Sequence, residues 1–583
     1  MKSLVLVLLS IKCIADAARD NPVVSTPKGQ IRGLPAQDGD YDMFLGIPYA
    51  DVDENNPFGP STPHPNFEST YDAINDGVMC LQSPDGNVEG TIQCLQLNVY
   101  VPRTASPTNT LPVMVFIHGG AFVSGHKSEL SPKFLLKHDV IIVTLNYRLG
   151  LYGFMCASDP GYKNAGMKDQ VLALRWVKDN IAAFSGNTDA ITVFGMSAGG
   201  TSVDLHLLTS DDLFHRAILM SGTALMSWMN LEENDELPIS LARELGFQGT
   251  DVTGAIQFLS AVDPRVAMAT ADRLQLVVDA NGYPLTFPCV EKPSADAFLT
   301  NYPVNMKPKV KGKDIMIGYV EKEIMFMYPN ADNLQFYRNY SFDFELLFEF
   351  DEAYDVDVVR QFYIGDETTN EGLQDVIIDY GSDRSFVHSA ERSVTKYLDA
   401  EANSVYKYLF AYEGDRNFIK MLMGLTAAGA CHGDDLGYVF DLPIFGNAPI
   451  TDADQKVIDV MTKTWTDFAK YGNPTPVPSD LIPEWKPVDK EQRPYLNIDN
   501  PITLESRAFN KRMAFWDLYY KLHGHKVRGY EVDEGNAEGD NGDEGNGDEG
   551  NGDEGNDEGG SGGNSVVPLT LLTSIALMVN LFR

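Results

Sequence analysis

Ile191-Thr192-Val193-Phe194-Gly195-Met196-Ser197-Ala198-Gly199-Gly200 leads from a short apolar strand through a glycine-flanked turn, and Thr201-Ser202-Val203-Asp204-Leu205 beyond it continues as a helix. A tight strand-to-helix turn needs small residues two before and two after its tip, because side chains there collide with neighbouring backbone. The pattern G-x-S-x-G thus presents one strained Ser at a helix N-terminus, where backbone N–H groups meet developing negative charge. Five residues of pattern alone are common in ordinary glycine turns. Their place between strand and helix makes Ser197 the candidate nucleophile.

Outward from this turn the chain alternates strand-like and helix-like segments. Leu111 to Ile117 and Val140 to Leu145 are continuous apolar runs of strand length, and Ile315-Met316-Ile317-Gly318 is another. Gln170 to Ile181 places Val171, Leu174, Val177 and Ile181 at helical spacing. From about 20 to about 525 this alternation predicts an α/β fold with a large, mostly parallel central sheet flanked by helices. The apolar content is that of a chain with a sizeable core, and a single decorated domain over residues 18–530 is expected.

The ends read differently. Met1-Lys2-Ser3, an apolar run and Ala15-Asp16-Ala17 together predict a secretory signal peptide over residues 1–17. Removing it takes away Cys13 and leaves Cys80, Cys94, Cys156, Cys289 and Cys431 in an oxidising compartment, an odd number that leaves at least one unpaired. Asn339-Tyr340-Ser341 is an acceptor pattern for N-glycosylation. The formal charge is −37, and between 531 and 558 every charged residue is acidic. This balance argues against nucleic acid or an anionic membrane surface as a direct partner.

Gly542-Asp543-Glu544-Gly545-Asn546 repeats at 547–551 and 552–556. With almost no apolar residue to bury, residues 531–560 are expected to form a flexible, self-repelling stalk. The repeat matches no calcium-loop spacing, and no metal or cofactor is expected. At 561–583, small residues precede the apolar run Val566 to Phe582 and only Arg583 follows. This predicts a GPI-attachment signal or, alternatively, a membrane anchor. The protein is therefore expected to be secreted or held on the extracellular face of the plasma membrane through its C-terminus.

Further motifs extend the pattern: residues 44–50 (FLGIPYA), 94–100 (CLQLNVY), 118–122 (HGGAF), 146–150 (NYRLG), 164–170 (NAGMKDQ) and 465–470 (WTDFAK). With the elbow at Ser197 they resemble, in order and across roughly residues 22–520, the type-B carboxylesterase and cholinesterase family, most closely its insect-type carboxylesterases. The resemblance implies an α/β-hydrolase fold and a serine esterase acting on small-molecule esters. It implies an oxyanion hole from the backbone N–H groups of Gly120, Ala121 and Ala198. His432, in the small-residue loop Ala428 to Tyr438, resembles the family's catalytic histidine, whereas His118 belongs to the oxyanion loop and His206 to the helix after the elbow. Chain order Ser, acid, His and alignment on Gly318 imply Glu323 as the acid. Glu321 remains a rival, because Lys322 and Ile324 flank Glu323 where the family carries an acidic residue and a Gly. A disulfide between Cys80 and Cys94 is also implied.

Met196 stands where the family often has Glu, and no Trp lies between Cys80 and Cys94. Both departures weaken a cholinesterase reading and favour uncharged esters, since the indole that contacts choline is absent. Cys289 and Cys431 read as buried small apolar residues, with a second disulfide left open. Loops Leu225 to Leu237 and Arg338 to Asp355 are expected to shape the pocket. The alternative to an esterase is a weakly active or noncatalytic surface adhesion or receptor protein on the same fold. Oligomeric state is not legible in the sequence.

Overall fold

The continuous apolar runs become the strands of one sheet. In this computed structural model, residues 21–531 are described, apart from 85, 211, 230, 279–283, 329–333 and 447. The expected signal peptide at 1–17, all but the first residue of the stalk at 531–560, and the attachment signal or anchor at 561–583 lie outside the described residues.

The sheet has eleven strands: β1 (Leu34–Pro35), β2 (Tyr41–Pro48), β3 (Gln96–Pro102), β4 (Leu111–Ile117), β5 (Ile141–Leu145), β6 (Gly186–Met196), β7 (Arg216–Met220), β8 (Asp314–Val320), β9 (Ser404–Phe410), β10 (Pro494–Ile498) and β11 (Thr503–Ser506). Their order is β11-β10-β9-β8-β7-β6-β4-β5-β3-β2-β1. The strands from β5 to β10 in this order run parallel, and antiparallel strands close both edges. Parallel strands are covered by helices on both faces, which is why Val113, Val115, Ile117, Val193, Ile218 and Ile315 are all buried. This is the α/β-hydrolase architecture that the resemblance implied.

The principal helices are α1 (Ala165–Asn180), α2 (Ala198–Thr209), α3 (Gln374–Ser382), α4 (His388–Asp399), α5 (Asp452–Tyr471) and α6 (Asn510–His523). Between α3 and α4 the chain makes one π-helical stretch, Asp383–Val387. Helix α2 packs against β4, β6 and β7. Among the described residues no helix is long and apolar enough to cross a membrane.

Strand register brings the working ends together. Gly195 pairs with Ile117, Met196 with Met220 and Val320 with Phe410, so the C-terminal ends of β4, β6, β8 and β9 reach one edge of the sheet. In an open parallel sheet this carboxyl edge is where loops converge on a ligand.

Two disulfides are present among the described residues. Cys80 pairs with Cys94, and Cys156 pairs with Cys289 across 133 residues. The second corrects the reading of Cys289 as a buried small apolar residue: the pairing depends on a tertiary approach that no local pattern records. Cys431 is the free, buried cysteine among the described residues, and burial raises its thiol pKa well above the ordinary range.

Candidate active site

The glycines of the elbow are required by contact. A Cβ on Gly195 would stand 2.5 Å from the Gly199 backbone, and one on Gly199 would stand 2.0 Å from the Ile117 carbonyl oxygen. Strand β6 and helix α2 are therefore drawn together, and the residue between them takes a conformation that L-residues avoid. Ser197 has φ 59° and ψ −126°, with its N–H donated to Met220 O at 2.9 Å. Such a strained nonglycine residue marks a functional position when the surrounding structure enforces it. Ser197 is half-buried, while Met196 and Ala198 beside it are buried.

The loop after β4 lies against this turn. The position of a Cβ on Gly119 is 3.1 Å from Ser197 Cβ. Gly120, Ala121 and Phe122 all have positive φ, at 97°, 53° and 63°. This unusual run turns the loop back on itself, with Val123 and Ser124 both donating to Gly120 O. Among the described residues no backbone carbonyl accepts the N–H of Gly120 or Ala121. Ala198 opens α2, where first-turn N–H groups have no intrahelical acceptor. His118 holds the loop from behind. Its ring stacks on Tyr147, Nδ1 lies 2.8 Å from Gly119 O, and burial pushes its pKa down to about 3, which keeps it neutral. His206 is likewise buried in α2, with Nε2 2.9 Å from Gln170 Oε1.

Glu323 and His432 meet across 109 residues of chain: His432 Nδ1 is 2.6 Å from Glu323 Oε2. Both side chains are almost fully buried. The other carboxylate oxygen of Glu323 accepts the N–H of Val320 at 2.9 Å, so the acid is braced by the end of its own strand. The histidine loop is fastened to the same turn, with Lys322 N donating to Ala430 O at 2.9 Å. Asp434 secures it from within by accepting the N–H of Cys431 at 2.7 Å and that of Lys420 at 3.0 Å. Glu321 points elsewhere. Its Oε2 lies 2.9 Å from where a Gly429 Cβ would be, and its pKa is raised by burial. Lys322, which departs from the family pattern, is paired with Asp375 at 2.6 Å and Asp379 at 2.9 Å.

The histidine loop also touches the elbow. A Cβ on Gly433 would stand 2.6 Å from Met196 Cε, so the residue after His432 packs on the side chain before Ser197. Aromatic rings that sequence reasoning missed surround the imidazole. Phe386 and Phe326 lie 4.8 and 5.4 Å from its centroid, and Trp228 packs edge-on against Phe386 at 5.1 Å. Trp228 lies in the loop expected to shape the pocket, but Phe386 comes from the π-helical stretch, for which no local signal exists. The other expected loop braces that stretch through Glu349, which pairs with Arg384 at 2.6 Å. Asn339 is exposed.

The carboxylesterase family model matches residues 20–516. Venom carboxylesterase-6 of Apis mellifera is 30% identical over 529 residues, covering 85% of this chain and 94% of its own. Bile salt-activated lipase of Homo sapiens is 31% identical over 563 residues, covering 89% and 72% respectively. Among solved structures, juvenile hormone esterase from Manduca sexta with OTFP covalently attached is similar, with a TM-score of 0.73 and 28% identity over 86% of this chain and 100% of that one.

Proposed function

The chain belongs to the carboxylesterase family, and on that premise we propose that it hydrolyses uncharged carboxylic esters through an acyl-enzyme on Ser197. The observation that carries the mechanism is the buried His432–Glu323 pair in a loop that packs on the residue preceding Ser197. His432 takes the Ser197 proton as the hydroxyl attacks the ester carbonyl, then returns it to the departing alcohol. Glu323, bound to Nδ1, holds one tautomer and stabilises the imidazolium that forms. Gly120, Ala121 and Ala198 offer N–H groups to the tetrahedral oxyanion. Water activated by His432 then releases the acid and frees Ser197.

The surroundings of His432 and Ser197 are apolar, with Met196, Phe326, Phe386 and Trp228 packed there, which suits an apolar ester, and no Trp lies between Cys80 and Cys94 to contact choline. Two disulfides fit an oxidising compartment. They support secretion, and the proposal extends to a signal peptide ending at 17, a hydrolase domain over 18–530, glycosylation at the exposed Asn339 and a C-terminal GPI tether, each read from sequence pattern. Release from intact cells by a phosphatidylinositol-specific phospholipase tests the tether, and retention would replace GPI by a spanning anchor.

Hydrolysis of an aryl acetate and the matching butyrate, compared with Ser197→Ala, tests the activity. Turnover abolished by the substitution is expected, and the ratio of the two rates begins to size the acyl pocket. A folded parent without turnover would overturn the proposal.

A further inference from the structure

In a chain of net charge −37, one cleft holds three cations that form no ion pair among the described residues, beside a fourth, Arg392, that pairs with Glu349 at 2.8 Å. It has a volume of about 440 Å³ and lies beside α4 and the start of α6. Lys396 Nζ donates to the carbonyls of Pro303 and Val304 at 2.7 and 2.8 Å, Arg493 to Thr395 Oγ1 at 3.1 Å, and Arg507 to Glu491 O at 2.9 Å. Among the described residues, none of the three has a carboxylate within ion-pair reach. The acidic residues of the cleft are already engaged, Glu391 with Lys407 and Asp517 with His388. Burial pulls the Lys396 ammonium down to about 8, only partly offset by the charge of Asp204 beyond ion-pair reach, so a carboxylate entering the cleft would stabilise the charged form.

The chain leaves the domain at the same place. Val304, whose carbonyl takes the Lys396 bond, also lines a smaller adjoining cleft together with Tyr302, Val527 and Arg528. Asn305 donates to Gly529 O at 2.8 Å and accepts the N–H of Glu531 at 3.1 Å. The sequence that follows carries Asp533, Glu534, Glu538, Asp540 and the acidic repeats, with no Lys or Arg as far as 558. At up to about 3.3 Å per residue, ten residues span roughly 30 Å, enough to reach a cleft lined by Val304, the chain neighbour of Asn305.

We propose that the acidic segment 533–558 docks in cis in the cationic cleft of Lys396, Arg493 and Arg507. Repeated Asp-Glu pairs present equivalent ligands in successive registers, and the short tether gives an effective concentration in the millimolar range, on the order of 1 mM. The contact is ionic and weakens with salt. It would fix how the domain stands on its C-terminal attachment, replacing self-repulsion at the start of the segment with attraction.

Zero-length carbodiimide coupling of the full chain, purified in nonionic detergent and mapped by mass spectrometry, tests this. An amide link between Lys396 and an Asp or Glu of 533–558 is expected. Its yield should fall about fivefold or more between low salt and about 0.5 M salt, and equally in the double variant Arg493→Gln/Arg507→Gln. Arg507→Lys, at the exposed rim, supplies a second coupling amine should Lys396 be unreactive. Neutralising the segment by Asp→Asn and Glu→Gln should raise amide exchange over 391–397 and 491–508. Links from neither amine, links insensitive to salt and to the arginine variants, or cleft protection unchanged by the neutral segment would each overturn the proposal. In the last case, competition by added acetate or laurate would assign the cleft to free carboxylates instead.

Discussion

His432 Nδ1 and Glu323 Oε2 stand 2.6 Å apart, both buried, although 109 residues separate them along the chain. The rival acid, Glu321, is two residues away but faces Gly429. Glu323→Gln keeps the shape but removes the charge that stabilises the imidazolium. The expected loss in kcat is about 10³- to 10⁴-fold with KM little changed, whereas Glu321→Gln stays within about tenfold of the parent. Steady-state kinetics on an aryl ester distinguishes the two. Equal losses would remove Glu323 from its assigned role.

Gly433 has φ 80°, and a methyl group there would press on Met196 Cε, the end of a flexible side chain, and crowd Ile419. Gly433→Ala should destabilise the fold by about 1–3 kcal/mol through left-handed strain and overpacking, and displace His432. Adding Met196→Ala relieves the contact but not the backbone strain. Thermal melts and kcat of the four-member mutant cycle should therefore show partial recovery. Full additivity would mean that Met196 does not press on the loop.

Asp435 is buried, with Oδ2 bonded by the Tyr408 hydroxyl at 3.2 Å and Oδ1 lacking a partner among the described residues. Burial, reinforced by the Glu323 charge, pushes its pKa from 3.8 up to about 7. Between about pH 4 and 7 the folded chain thus holds a proton that the unfolded chain has released. The stability from this group is fully present below about pH 4 and is lost as pH rises through about 7. Asp435→Asn, which mimics the protonated form, should raise the thermal midpoint at pH 8 but change it little at pH 4. Asp383, raised to about 7, and Asp434, raised to about 6, retain part of the slope. An unchanged difference between the two pH values would show that Asp435 ionises normally.

The Cys156–Cys289 bridge closes a far longer loop than Cys80–Cys94, with separations of 133 and 14 residues. Replacing Cys156 and Cys289 together by Ala should cost about 2–5 kcal/mol. Alkylation before and after unfolding, followed by peptide mapping, should label Cys431 only in the unfolded protein. Labelling of Cys431 in the folded protein would contradict its burial.

Local geometry explains how much of the site was legible. The elbow could be read because steric crowding at Gly195 and Gly199 demands glycine, so contact leaves its trace in five consecutive residues. His432 and Glu323 left weaker traces and were reached through resemblance in chain order. Phe386 left none: it reaches the imidazole from a π-helical stretch whose path is set by packing among α3, α4 and α6. Cys289 was misread for the same reason, since its partner lies 133 residues earlier.

The sequence by itself determined the parallel sheet, the glycine-flanked turn at Ser197 and the acidic C-terminal segment, because apolar periodicity, steric exclusion and charge are properties of neighbours along the chain. Tertiary structure alone decided that Glu323 rather than Glu321 reaches His432, that Met196 supports the histidine loop, and that Lys396, Arg493 and Arg507 share a cleft. Those relations depend on how strands β6, β8 and β9 align in register and on which loops their ends then bring into contact. That alignment results from burying the whole core at once.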